Sequence, residues 1–276
     1  MIKLENVEVV GWEHAIRGMR NPMNSWAKID SGYGCGNDNE YFCDDCSSSF
    51  HCTSREKTLN IGPNDHKRMM SLRNLGTDHR KYMRMITVYV DITAPLYWWK
   101  EFDTYKVGTV ANSCSTMHKI GEKEFELDDF SCEHLLSDPD CDEYGPYNEI
   151  KEPDCEGYRW YAPKEILEDW IIASLNKSRE AYLNAKTKPM KDESKRKDLV
   201  KKYWWQMIQL LPSSYNQRRT IMLNYEVLAN MYKSRKNHKL DEWLDFCKWI
   251  ESLPYSELIT GVAVDDAISI GTGEEK

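Results

Sequence analysis

The residue patterns predict an α+β chain. Two alternating, β-branched runs at residues 3–10 and 84–93 read as strands, a second half full of apolar stripes at helical spacing reads as long helices, and neither a Walker loop nor a G-x-G-x-x-G turn marks an alternating nucleotide-binding fold. In order, Lys3 to Val10 alternates as a strand, and Glu13 to Arg20 is a short helix with Ala15, Ile16 and Met19 inward. Residues 21–60 lack periodicity. Asn64 caps a helix that runs to about Leu75 and stops at Gly76. After the strand at 84–93, Pro95 opens a helix at the first-turn position that proline tolerates, and Leu96 to Lys106 places Leu96, Trp99, Phe102 and Lys106 on one face. Residues 107–118 form a polar loop of hydroxyls and free backbone N–H groups, which suits either anion binding or an ordinary connection.

Pro163 to about Lys186 is a long helix with the stripe Ile166, Leu167, Trp170, Ile171, Ser174 and Leu175. The charge run from Lys186 to Lys202 reads as a solvated turn and helix start rather than an interaction tail. Leu199 to Leu211 is a helix facing inward with Trp204, Met207, Ile208 and Leu211. Residues 217–223 are partly β-like. Asn224 to Arg235 and Lys239 to Leu253 are helical, the second with Leu240, Trp243, Leu244, Cys247 and Ile250 on one face. The pairs Trp98-Trp99 and Trp204-Trp205 read as core and subunit interface.

Composition narrows the function. With 276 residues there is ample chain for a core. Aromatics reach 12 % and the formal net charge is −8. That is too aromatic for a disordered chain, and the acidity excludes bulk nucleic-acid coating while leaving room for a small anionic ligand in a local basic pocket. The N-terminal residues do not form a secretory signal and no run reaches ~18 apolar residues, so a cytoplasmic protein without membrane partners is expected.

Nine cysteines in a reducing compartment argue against a disulfide framework. Cys35, Cys43, Cys46 and Cys52 cluster in a Gly-, Asn-, Asp- and Ser-rich segment with no core-forming pattern. Cys43 and Cys46 form a C-x-x-C knuckle, and four thiolates could hold structural Zn, with His51 as a spare ligand. The competing readings are a polar surface loop with incidental thiols and a redox role. Cys132, Cys141 and Cys155 match no zinc spacing, and Cys247 reads as core.

Several short matches, taken in order, carry a family resemblance. Val7-Glu8-Val9-Val10 precedes a helix ending Arg17-Gly18-Met19-Arg20. Ala94-Pro95-Leu96-Tyr97-Trp98-Trp99 follows the firm strand. Leu211-Pro212 precedes the later strand, and Asn224, Asn230 and Arg235 are spaced by six and five along one helix. This order resembles the flavin-dependent thymidylate synthases over roughly residues 3–20 and 64–253. The resemblance implies a central, mostly antiparallel sheet with long helices. It implies one domain over residues 1–260, carrying the Cys-rich insert at 30–60, and an acidic tail at 261–276. It also implies a homotetramer that binds FAD and dUMP and makes dTMP by reductive methylation, with NADPH as reductant and methylenetetrahydrofolate as donor.

On that resemblance Arg235 is the candidate catalytic residue, stabilising negative charge on an activated pyrimidine. Asn224, Asn230, His79 and Lys106 are candidates for the flavin, and Lys106, Asn112, Ser113, Ser115 and Arg235 for the substrate nucleotide. Cys114 stands where the family has a serine. It is either a nucleophile toward a pyrimidine ring, flanked by Ser113 and Ser115, or a small residue lining the substrate loop. The family's Arg-His-Arg signature is here Thr104-Tyr105-Lys106, its phosphate-clamping Arg is Thr116, and the second helical position after Asn224 is Glu226 in place of the usual Arg. A lysine cannot reproduce a bidentate arginine clamp. Two functions follow: a divergent thymidylate synthase-like methyltransferase, or a nucleotide-binding or protein-interaction module on the same fold without flavin chemistry.

Overall fold

The computed structural model describes residues 2–35, 57–137 and 161–261, with the side chains of residues 34, 35, 57 and 58 outside the description. In chain order the elements are β1 (Lys3–Val10), α1 (Trp12–Arg20), β2 (Gly32–Cys35), β3 (Lys57–Asn60), α2 (Pro63–Asn74), β4 (Thr87–Pro95), α3 (Leu96–Phe102), β5 (Val110–Ser113), α4 (Thr116–Lys119), α5 (Pro163–Glu165), a π-helical stretch (Ile166–Ile172), α6 (Ala173–Thr187), α7 (Glu193–Leu210), β6 (Asn216–Asn224), α8 (Tyr225–Arg235), α9 (Asp241–Glu251) and α10 (Glu257–Thr260). The result is mixed helix and sheet. Four strands follow the order β1-β4-β6-β5, and β2 pairs antiparallel with β3. The chain divides into two compact units. One comprises Met1–Lys3, Thr93–Phe102 and Asn112–Arg219; the other comprises Leu4–Ile92, Asp103–Ala111 and Thr220–Lys276.

The first unit has a core of Ile120, Phe125, Phe130, Leu167, Ile172, Leu175 and Met207, with Trp204, Ile208 and Leu211 packed against it. The inward face expected of α7 is therefore the observed one. The helix expected over 163–186 is interrupted. The π turn at Ile166–Ile172 adds a residue to the turn and rotates the stripe, so Ile172 is buried while Ile166 and Trp170 face solvent. The charge run does contain a turn and a helix start: Asp192 Oδ1 accepts from the N–H groups of Ser194 (3.0 Å) and Lys195 (3.1 Å), capping α7.

In the second unit, α1 buries Ala15, Ile16 and Met19 as its periodicity requires. Trp12 meets Tyr225 and Tyr255 edge-on, with centroids 5.3 and 5.5 Å apart. Trp243, Phe246 and Ile250 of α9 are fully buried, each such side chain contributing about 1.5–3 kcal/mol. Residues 21–60, expected to be irregular, also hold the β2–β3 hairpin.

The start of α2 departs from expectation. Gly62, not Asn64, holds the N-cap position, and a carboxylate distant in sequence does the capping: Asp30 accepts from Asn64 N (2.8 Å) and Asp65 N (3.0 Å). Gly62 is required, because a Cβ there would lie 2.2 Å from the Asp30 carboxyl carbon. Burial pushes the Asp30 carboxyl up, and these backbone donors outweigh it, so its pKa is lowered. Beneath it, fully buried Asp65 receives Arg20 Nε (2.9 Å) and Nη2 (2.6 Å) on one oxygen. Its other oxygen receives Asp30 N, Ser31 N and Ser31 Oγ at 3.0, 3.1 and 2.7 Å. This clamp ties the two ends of the segment that carries the Cys-rich insert.

Candidate functional site

Arg235 ends α8 and is tightly held. Its Nε donates to Tyr105 Oη at 3.0 Å, its Nη1 lies 2.9 Å from His238 Nε2, and the guanidinium lies 4.7 Å from the centroid of the Trp243 ring. His238 Nδ1 accepts from Leu240 N at 3.1 Å, which orients the imidazole. A planar cation flanked by aromatic rings and an imidazole is pre-organised for negative charge, since its geometry needs no rearrangement when charge develops. Tyr105 reaches this position because α3 stops at Phe102, four residues short of the expected Lys106. Lys106 is thereby exposed beyond the helix rather than on its inward face.

Tyr105, His238 and Trp243 were not among the sequence candidates. His238, three residues after Arg235, was the one within reach of a helical-spacing argument.

Asn224 and Asn230 are both engaged. Asn224 Oδ1 caps α8 through Val227 N at 3.0 Å. Gly108, at φ +82°, backs onto its amide, where a Cβ would approach Nδ2 to 2.8 Å. Asn230 Oδ1 accepts from Arg80 Nη2 at 3.1 Å. Arg80 also faces Glu226 (3.5 Å), and Arg84 donates to both oxygens of the same carboxylate. The hydrogen bond to Glu226, followed by its charge, raises the Arg84 pKa. Two guanidiniums thus share the Glu226 carboxylate beside Asn230, with Asp78 acting on Arg84 as a further negative charge. His79 is exposed at the head of this 80–84 turn, its N–H donating to Gly76 O at 3.1 Å.

The remaining candidates belong to the first unit. Asn112 and Ser113 lie exposed on β5. Ser115 Oγ accepts from His118 N at 3.0 Å and caps α4, so the loop expected at 107–118 contains a strand and a helical turn. Cys114 is a free, exposed cysteine gripped through its backbone: its N–H donates to Arg218 O (2.9 Å), and its carbonyl accepts from Gln217 Nε2 (3.0 Å). Gln217 O in turn accepts from the indole of fully buried Trp99 at 2.9 Å.

Cys114, Ser115 and Thr116 border a cavity of about 240 Å³ together with Lys119, Lys123 and Arg218. Lys119 pairs with Glu122 at 2.7 Å, and Lys123 with Asp129 at 3.1 Å and Glu126 at 3.2 Å. Hydrogen bonds to those two acids raise the Lys123 pKa. No side chain among the described residues hydrogen-bonds the Cys114 thiol, so a partner that would draw off its proton is not part of this arrangement.

The zinc expectation falls on Cys35, Cys43, Cys46 and Cys52. The Cys35 side chain and the other three cysteines lie outside the described residues. Among the described residues no group of three or more His, Cys, Asp or Glu side chains is arranged to hold a metal ion, and no helix is long and apolar enough to cross a membrane.

No protein-family model matches the chain, and no curated protein matches it in sequence. Solved structures do. The thymidylate synthase ThyX from Helicobacter pylori, crystallised with FAD and dUMP, superposes with a TM-score of 0.53 at 15 % identity, over 95 % of this chain and 98 % of that one. A second structure of the flavin-dependent ThyX from the same organism, also complexed with FAD and dUMP, gives a TM-score of 0.51 at 14 % identity, over 93 % and 99 %. The fold resemblance expected from the ordered short motifs is thus recovered in three dimensions along nearly the whole chain.

Proposed function

We propose that this chain is a divergent thymidylate synthase-like enzyme that binds FAD and methylates a pyrimidine deoxynucleotide, dUMP to dTMP. The observation that carries the reading is Arg235, hydrogen-bonded to Tyr105 and stacked on Trp243 with His238 alongside, on a ThyX-like fold. Its role is to stabilise the charge that develops on the pyrimidine when the ring is activated.

The residues fit a flavin in charge and in donor chemistry. Arg80 and Arg84, which share Glu226 and have Asp78 near Arg84, offer guanidinium donors to a diphosphate. Exposed His79 and Lys106 add donors, and Asn224 and Asn230 keep their amide N–H groups for ring or ribose oxygens. Bound flavin would supply the hydride that completes the methyl group. Ser115, Asn112 and Ser113 serve the nucleotide, with Cys114 as a wall of that pocket. The reading carries with it NADPH as reductant, methylenetetrahydrofolate as donor, a homotetramer and a cytoplasmic location.

The test is a visible spectrum of the purified full chain, FAD titration, and thermal shifts with dUMP and dTMP, where a ligand at ~100 times its Kd adds ~2.7 kcal/mol. Yellow protein, a dUMP-dependent shift, and loss of turnover in Arg235→Lys with FAD still bound support the reading. Colourless protein that takes up no FAD and forms no dTMP sinks it.

Glu226 favours a second reading. This buried carboxylate sits where the family usually has an arginine and engages two basic side chains. A module that binds nucleotide without flavin would show the dUMP shift without the flavin spectrum.

A further inference from the structure

The charge run from 186 to 202 does more than solvate a turn. Its basic side chains border a cavity of about 560 Å³ in the first unit, between the end of α6 and the first half of α7. Lys186, Arg196, Lys197 and Lys201 line it beside the rings of Tyr182 and Trp204, and no acidic side chain is among its lining.

The arrangement follows from helix geometry. Lys197 and Lys201 lie one turn apart on α7, with Trp204 three residues further along the same face. Arg196 is anchored by Glu193 through two hydrogen bonds of 2.8 and 2.6 Å and donates to Lys186 O at 3.0 Å, which joins the two helix ends. Trp204 is fixed by its indole N–H, which donates to Met117 O at 2.8 Å. Lys186 carries its ammonium 5.5 Å from the Tyr182 ring centroid. No ion pair neutralises Lys186, Lys197 or Lys201 among the described residues. The cavity thus presents three exposed ammonium groups, with the Glu193 carboxylate, held by Arg196, near Lys197.

We infer that this cavity is a binding site for a nucleoside polyphosphate, separate from the Arg235 and Cys114 regions. The lysines take the phosphates as point charges, and the half-buried Trp204 and Tyr182 take the base, for which aromatic side chains are the general platform. The volume lies within the range of single small-ligand pockets, and the overall acidity opposes a long nucleic-acid strand. The site rests on none of the residues assigned to FAD or dUMP.

Calorimetric titration of the full chain tests it, using ATP, tripolyphosphate, adenosine and a ten-nucleotide oligo-dT as probes. ATP binds with a Kd on the order of 100 μM or tighter, tripolyphosphate binds about tenfold more weakly or worse, and adenosine gives no measurable heat. Lys197→Glu with Lys201→Glu, both exposed, weakens ATP binding at least about tenfold, while Arg235→Lys leaves it unchanged. Should the double charge reversal fail to fold, Lys201→Gln shows the same loss in smaller measure. Four results overturn the inference: no heat with ATP at about 5 mM, tripolyphosphate equal to ATP, oligo-dT tighter than ATP, or lysine variants that bind as well as the parent.

Discussion

Replacing Asp65 by alanine strands Arg20. In the native clamp one carboxylate oxygen receives two N–H groups of an arginine only 4 % exposed, and the other receives three donors from Asp30 and Ser31. Asp65→Ala leaves a buried guanidinium facing a void and orphans those three donors. Breaking a buried pair by removing one partner costs about 3–5 kcal/mol, and orphaned neutral donors set that figure toward its upper end. At about 2–4 °C per kcal/mol, the expected fall in Tm is roughly 10 °C or more.

Urea unfolding followed by far-UV circular dichroism reads the loss directly. Arg20→Met in the same chain removes the stranded charge and recovers about 1–2 kcal/mol, so the two substitutions are non-additive. A loss below about 1 kcal/mol for Asp65→Ala, or strict additivity of the pair, refutes the reasoning that this ion pair is the keystone of the 20–31/62–65 junction.

Three further outcomes follow from the geometry. The Asp30 pKa is lowered in the folded chain, so its stabilisation is present above the unfolded value of 3.8 and is lost as pH falls through the folded value; the Tm gap between the parent and Asp30→Asn is widest near neutrality and closes in acid. Burial, reinforced by the Glu251 charge, pushes the Cys247 thiol up to about 11, leaving about a thousandth as thiolate at pH 8; iodoacetamide followed by peptide mass spectrometry therefore labels exposed Cys114 and spares Cys247 in the native chain. Asn224→Ala costs about 1 kcal/mol through loss of the α8 cap, and Gly108→Ala costs about 1–2 kcal/mol because it demands a left-handed backbone and crowds the same amide; thermal melts of the double variant show less than the sum.

How much of this was legible in the chain depends on the range of the interaction. The inward faces of α1 and α9 could be read because helical periodicity is local: Ala15, Ile16 and Met19, or Trp243, Cys247 and Ile250, need no knowledge of what they pack against. Phe246 escaped because α9 buries a wider arc than one stripe. The ordered short motifs pointed to the fold that the ThyX structures share, since the order of elements survives when identity has fallen to 15 %. The start of α8 at Asn224 was legible as well, and its cap onto Val227 N is a contact within three residues.

What folding alone decided lies between residues far apart. No spacing rule links Asp30 to the start of α2, Arg20 to Asp65, Arg80 and Arg84 to Glu226, or Tyr105 to Arg235, at separations from 34 to 146 residues. Two carboxylates and an arginine look alike in sequence whether they face water or one another. Their meaning is set by burial, which makes a charge costly until a partner arrives, and the backbone path alone determines which partner that is. The same holds for the basic run at 186–202. Its composition announced solvation, and its lysines are indeed exposed, but the packing of α6 on α7 sets Lys186, Lys197 and Lys201 around one cavity beside Tyr182 and Trp204.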